Sequence, residues 1–206
     1  MKKLLSLILI ISILTLLVSC NRKYDEEVVR VEAERLIRAS ENLNEIFWGR
    51  GIDYIEGTNT ADGYYREASY SALKKFGFTT IKELEELTRA TFSESYADSV
   101  LATTTSSIID EDGIQFLARY YQKYTDETYT EPECIMVYTQ VKPLLLDEVE
   151  YFYDSLRVTH SKKKTVFVEI DCKVVREDGK TQTKTLEIGL VEEENGWRIS
   201  TPTYSV

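Results

Sequence analysis

Residues 165–204 carry the clearest alternation in the chain. Val166, Val168, Ile170, Cys172 and Val174 alternate with Phe167, Glu169, Asp171, Lys173 and Val175. That period of two gives a strand one buried and one wet face. Leu186, Ile188 and Leu190 repeat the alternation, and Trp197 and Ile199 repeat it again. Asp178-Gly179 and Asn195-Gly196 separate the three runs, and such pairs close two-residue turns because they tolerate positive φ. The stretch is predicted to be a three-stranded antiparallel meander whose apolar face needs a cover.

A cover is available near the other end. Over residues 24–48, Val29, Ala33, Leu36, Ser40, Leu43 and Phe47 fall at spacings of three and four, with Glu, Arg and Asn opposite, the stripe of an amphipathic helix. Gly49-Arg50-Gly51 ends it. Residues 52–69, with Gly57, Asn59, Asp62, Gly63, Tyr54, Tyr64 and Tyr65, read as a loop ending in a short extended segment. Thr80-Ile81-Lys82-Glu83 fits a capping box opening a helix to about Ala90. Ser93 caps another to about Thr103, with Tyr96, Val100 and Leu101 inward, ended by the Thr/Ser run that follows. Residues 110–113 are expected to turn, 114–121 to form a strand, and 134–141 another between Pro132 and Pro143. Residues 144–154 fit neither period cleanly, and 157–164 read as a polar loop. No internal repeat or linker divides residues 24–206, so a single α+β domain is expected.

The first nineteen residues follow a different pattern. Lys2 and Lys3 precede an apolar run from Leu4 to Val18, short for a transmembrane helix. Leu17-Val18-Ser19-Cys20 follows, and it resembles the bacterial lipobox at all four positions. The resemblance implies removal of residues 1–19, lipidation of the Cys20 thiol, and a protein held on the extracytoplasmic face of the membrane by a tether of residues 20–23. Two or three acyl chains hold a protein stably where one does not.

Charge narrows the partners. The net charge is −10 and becomes −12 once Lys2 and Lys3 are lost. Nucleic acid and other polyanions are thereby disfavoured, while a cationic surface on an envelope protein or a wall polymer remains open. Cys134 and Cys172 are left beside Cys20, either paired or as two buried thiols. Two cysteines and His160 do not make a zinc set, and no metal or cofactor is expected.

Candidate chemistry is sparse. The acidic turn from Asp110 places Gln115 and Tyr121 where a calcium loop needs Gly and Glu. Gly49-Arg50-Gly51 follows a helix and has Tyr54 where a dinucleotide fingerprint needs glycine. His160, the one histidine, sits among Lys162, Lys163 and Lys164, which repel its protonated form. Glu169 and Asp171 share a strand face; such a pair serves as acid and base only where the surroundings drive its pKa values apart. Among fourteen tyrosines, Tyr64, Tyr65, Tyr120 and Tyr138 are, with Glu169 and Asp171, the candidate ligand or partner surface.

Glu194-Asn195-Gly196-Trp197-Arg198-Ile199 followed by Thr201-Pro202-Thr203-Tyr204 resembles the last hairpin of cystatin-like α+β cones, the NTF2-like superfamily. With the first helix, it implies an N-terminal helix packed on a curved antiparallel sheet. A ketosteroid-isomerase-like enzyme with Asp171 or Glu169 as base is one use of that fold. The middle of the chain, Tyr64-Tyr65, then residues 82–90, then Phe92-Ser93, is similar to the IseA family of exported inhibitors of wall-cleaving DL-endopeptidases. That similarity implies a regulator of a wall hydrolase and carries over no site residue. The expectation that fits the lipobox and the thin chemistry is a non-catalytic binding module at the cell envelope. Replacing Cys20 by alanine is expected to abolish incorporation of a fatty-acid analogue in growing cells; a variant that still labels refutes the assignment.

Overall fold

The computed structural model describes residues 24–61, 63–106, 108–109, 115–116, 118–125, 128–129, 132–144, 147–176 and 178–204. The expected leader, lipobox, Cys20 and acidic turn at 110–113 lie outside the described residues. In chain order the elements are α1 (Glu26–Phe47), β1 (Tyr65–Glu67), α2 (Tyr70–Phe76), α3 (Ile81–Thr91), α4 (Glu94–Thr104), β2 (Ile108–Ile109), β3 (Gln115–Phe116), β4 (Tyr120–Tyr124), β5 (Pro132–Tyr138), β6 (Glu148–Lys162), β7 (Thr165–Val175), β8 (Thr181–Glu193) and β9 (Gly196–Ile199).

Helix α1 begins where Asp25 accepts hydrogen bonds from the Glu27 and Val28 amides, with Glu26 and Glu27 in the first turn. Both features favour the positive end of the helix dipole. Its predicted stripe of Val29, Ala33, Leu36, Ser40, Leu43 and Phe47 is buried throughout, joined by Ile37, Asn44 and Ile46. The stripe packs on the antiparallel sheet β6-β7-β8-β9, whose edge strands stay apart, so the sheet is not a closed barrel. Val166, Val168, Ile170, Cys172, Val174, Ile188 and Leu190 form the covered face, each at most 1 % exposed. Burying one such aliphatic side chain contributes about 1.5–3 kcal/mol. The fold is thus α+β with an N-terminal helix packed on an antiparallel sheet, as the alternation requires.

Several boundaries differ from expectation, each for a physical reason. The meander gains a fourth strand, because residues 157–164, expected as a polar loop, belong with 148–156 to the fifteen-residue β6. Val149, Tyr151 and Tyr153 turn toward the core, then Leu156 and Val158 do. The switch from odd to even positions coincides with an irregularity in the β6–β7 register between Phe152 and Arg157. A bulge exchanges the two faces of a strand and so breaks the period that would announce it. Residues 159–162 lie beyond the core and are exposed on both faces.

The last hairpin turns at Glu194 and Asn195, and Gly196, at φ 104°, opens β9 instead of closing the turn. The strand expected over 114–121 is divided between β3 and β4, which join different sheets. The strand expected over 134–141 is shifted back to Pro132–Tyr138, with Pro132 at its first residue, where a missing N–H is tolerated. Strands β1, β5 and β4 form a second, three-stranded sheet, so one continuous sheet is not what the chain builds. Cys134 and Cys172 are both free thiols; Cys172 has no exposed surface, and burial pushes both thiols above their ordinary range.

The capping box is present: the Thr80 hydroxyl accepts from the Glu83 amide at 3.2 Å, and the Glu83 carboxylate accepts from the Thr80 amide at 3.2 Å. Ser93 stands at the start of α4 without a side-chain cap; its amide instead donates to the Ile199 carbonyl at 2.8 Å. That bond ties the junction of α3 and α4 to β9.

The end of α1 is closed by residues far along the chain. Arg119, buried, donates to the Phe47 carbonyl at 2.7 Å and to the Gly49 carbonyl at 2.8 Å, and the Tyr120 hydroxyl donates to the Ile46 carbonyl at 2.7 Å. These donors satisfy carbonyls that the helix itself leaves free, and the cation meets the negative end of the dipole. Burial pushes the Tyr120 hydroxyl up to about 12, so it remains a donor at neutral pH.

The chain leaves this lock through Gly51 at φ 87°, where a Cβ would lie 2.6 Å from Arg119 Nη2 and 2.6 Å from the Tyr120 hydroxyl. Gly57 has nearly the same φ, 85°, with open space around it. Alanine at Gly57 is expected to cost about 1–2 kcal/mol, the strain of a left-handed residue. Alanine at Gly51 is expected to cost at least about 2 kcal/mol more, because it also displaces the lock. Urea unfolding of the two variants measures the difference; equal losses would show that the close approach is not holding the helix end.

Candidate functional site

Helix α1 and strand β6 lie side by side and run in opposite directions. At one end the Tyr24 hydroxyl donates to the Lys163 carbonyl at 2.8 Å. Farther along, Arg38 stacks 3.6 Å over the Tyr153 ring, and the Tyr153 hydroxyl donates to Glu41. Beyond that contact the two elements border a cleft of about 340 Å³. Glu41, Asn44, Glu45 and Arg50 form one wall, Asp147, Glu148, Val149 and Tyr151 the other, and Tyr204 closes the side. At 1.5 Å per residue, Glu45 stands about 29 Å along α1 from Glu26.

The floor is a buried polar knot. Thr203, fully buried, shares a hydrogen bond with the Ser40 hydroxyl at 2.8 Å and accepts from Asn44 Nδ2 at 2.9 Å, while its carbonyl accepts from the Tyr151 hydroxyl at 2.5 Å. The carboxy-terminal tail is thereby pinned to both walls. Asn44 Oδ1 is buried without a partner among the described residues. The Tyr204 ring packs 4.8 Å from Trp48, which stacks at 6.4 Å on Tyr96.

Four carboxylates face one guanidinium across this space. Glu45 also accepts the Arg50 amide at 3.1 Å, which fixes the turn after the helix. Burial, and then the Glu41 charge, pushes the Tyr151 hydroxyl well above its ordinary range; burial raises Tyr204 as well. Both stay protonated and offer ring faces beside the acids, the Tyr151 hydroxyl being held by the Thr203 carbonyl. The described His, Cys, Asp and Glu side chains form no cluster of three or more suited to a metal ion. The arrangement suits an organic cation: carboxylates for its charge, tyrosine rings for its body, and Arg50 for an acidic group on the same molecule.

The residues singled out from sequence are placed elsewhere. Tyr65 and Tyr120 belong to the core, at 7 % and 0 % exposure, with the Tyr65 hydroxyl donating to the Ala118 carbonyl at 2.7 Å. Tyr64 is exposed and lies 6.2 Å from half-buried Tyr138, which contacts Tyr65 at 5.3 Å. These four cluster around the three-stranded sheet, and two of them are packing residues, not surface.

Glu169 and Asp171 do share a face, the half-exposed one of β7. Arg157 holds Glu169 at 2.5 Å and stands 3.9 Å from Asp171, which also accepts the Thr185 hydroxyl at 2.6 Å. Phe167, Glu169, Asp171 and Lys173 are all half-exposed, on the face of β7 opposite the covered one. His160 lies on β6, stacked 4.3 Å on Phe167, not in a loop.

Sequence reasoning missed the cleft residues. Glu41 and Glu45, four apart on the polar side of a helix, are indistinguishable from a solvated face. Asp147 precedes, and Glu148 opens, a strand whose period is broken by its bulge. The alternation of Val149, Tyr151 and Tyr153 was the one available signal.

Fold and site together define an α+β protein with an acidic cleft between its first helix and an edge strand of its sheet. No protein-family model matches the chain, and no curated protein matches it.

Replacing Thr203 by valine keeps the shape but removes the acceptor of Asn44 Nδ2 and the bond to Ser40, whose hydroxyl still donates to the Ile37 carbonyl at 2.7 Å. Unsatisfied buried polar groups of this kind cost about 1–3 kcal/mol. Urea unfolding is expected to show that loss; an unchanged midpoint would mean the knot does not hold the tail.

Proposed function

We propose that the protein is a lipid-anchored, extracytoplasmic binding module that works without chemistry of its own. Its ligand carries a cationic group that enters the cleft between α1 and β6. The observation that carries this reading is the set of four carboxylates around a volume of about 340 Å³, within the usual range for small-molecule sites. Glu41 and Glu45 stand on a helix and Glu148 opens a strand, so their backbones are held in place before a ligand arrives, which lowers the ordering cost of binding. The anchor follows from Cys20 in its lipobox context. At the cell envelope, a side-chain amine on a wall peptide has the size and charge that the cleft accommodates. Arg50 stands where a carboxylate of the same peptide can pair with it.

Muropeptides with a free side-chain amine, and the same peptides acetylated at that amine, are suitable probes for isothermal titration. The free amine is expected to bind at least tenfold more tightly, and the double variant Asp147→Asn, Glu148→Gln to lose about tenfold, roughly the 1.4 kcal/mol expected of a weakened charge pair. Equal binding of both peptides, or heat with neither, sets this reading aside.

A further inference from the structure

The end of the molecule opposite the cleft is where the lysines gather. Lys163 and Lys164 form the two-residue turn between β6 and β7, and Lys162 pairs with Thr165 at its base. All three are exposed. Lys123, Lys173 and Lys180 each form an ion pair; among the described residues, Lys162, Lys163 and Lys164 form none. Lys163 holds φ 58°, a conformation that Asn or Gly adopts more readily. A costly residue at the tip of an exposed turn points to a use for its charge.

The neighbouring turn between β8 and β9 is acidic. Glu192, Glu193 and Glu194 share an open groove with Lys164, Arg89, Arg198 and Glu94. Glu193 is engaged by the Glu94 amide at 3.1 Å. Asp25, Glu26 and Glu27 open α1 beside Tyr24 at this same end, so the lysine turn is a local basic patch among acids, on a chain of net charge −10. At the cleft, four carboxylates meet one arginine.

The lysine turn is also the end from which the tether leaves. Tyr24 donates to the Lys163 carbonyl at 2.8 Å and packs its ring edgewise on Trp197 at 5.0 Å. Cys20 precedes Tyr24 by four residues, a span of at most about 14 Å even when fully extended. A lipid on Cys20 thus brings the turn close to the headgroups. We infer that Lys162, Lys163 and Lys164 form the membrane-facing surface of the protein, resting on anionic phospholipid headgroups and pointing the cleft away from the bilayer. This inference rests on the lipid anchor proposed above.

The test uses the lipidated full chain in vesicles of phosphatidylcholine, with or without phosphatidylglycerol. Reductive methylation of lysines is followed by mass spectrometry. Lys180 is the internal reference, with 78 % of its side chain exposed in the β7–β8 connection, at the other end of the sheet. Labelling of Lys162–Lys164 relative to Lys180 is expected to fall at least about fivefold in the anionic vesicles. It should recover at about 1 M salt, where the screening length shrinks to about 3 Å. In the variant Lys162→Glu, Lys164→Glu the protection of Lys163 should disappear. Equal relative labelling in the two vesicle types, or protection that survives in the charge-reversed variant, overturns the inference while leaving the anchor intact. Protein that fails to float with either vesicle refutes the anchor, and this orientation with it.

Discussion

The apolar stripe of α1 is the constraint that the remaining elements satisfy. Leu36 and Ile37 have no exposed surface because β6, β9 and α3 all pack against the helix. A single long helix can bury that much of its surface only if elements distant in sequence close over it. The covered face of the four-stranded sheet supplies one side of this arrangement. The junction of α3 and α4, tied by its backbone to β9, supplies another.

Closing over the helix creates a problem at its end, where the last carbonyls face protein and not water. Arg119 and Tyr120 solve it by donating to the carbonyls of Ile46, Phe47 and Gly49. Burying the guanidinium against carbonyls is costly, offset by the helix dipole and by its two charge-assisted hydrogen bonds. The same solution makes the cleft possible. With the helix end immobilised and the tail held at Thr203, Glu41, Glu45 and Arg50 face Asp147 and Glu148 across a space that their own backbones define. Rigid walls matter more for a weakly charged ligand than additional charge, because ordering a loose site consumes the binding energy.

The antiparallel course of α1 and β6 gives the molecule two chemically distinct ends. One holds the acidic cleft; the other holds Tyr24 and the lysine turn. The start of α1, next to the proposed tether, and Glu45 in the proposed ligand site stand about 29 Å apart along the helix, by its rise per residue. The proposed contact of the lysine turn with anionic headgroups would set that same direction. The Glu169–Asp171 pair lies on neither axis of this arrangement. Its partner Arg157 stands on the adjacent strand, and an ion pair on an exposed sheet face adds little more than local order.

What was legible in the sequence was local. Alternation over 165–175 and 186–190, the stripe from Val29 to Phe47 and the Thr80–Glu83 box each encode a contact within one element, or one face that must be covered. From those follow the α+β class and the helix-on-sheet packing. Strand β6 was hidden, because its bulge inverts the faces midway and its last residues outrun the core. Tyr65 and Tyr120 looked like surface because a tyrosine's spacing does not say whether its hydroxyl meets water or a carbonyl. The cleft was invisible for the same reason at larger scale. Its carboxylates come from residues 41–45 and 147–148, and each is, within its own element, an ordinary solvated acid. Only the tertiary structure, by running the helix and the strand in opposite directions and pinning the tail between them, decided that these charges share one space.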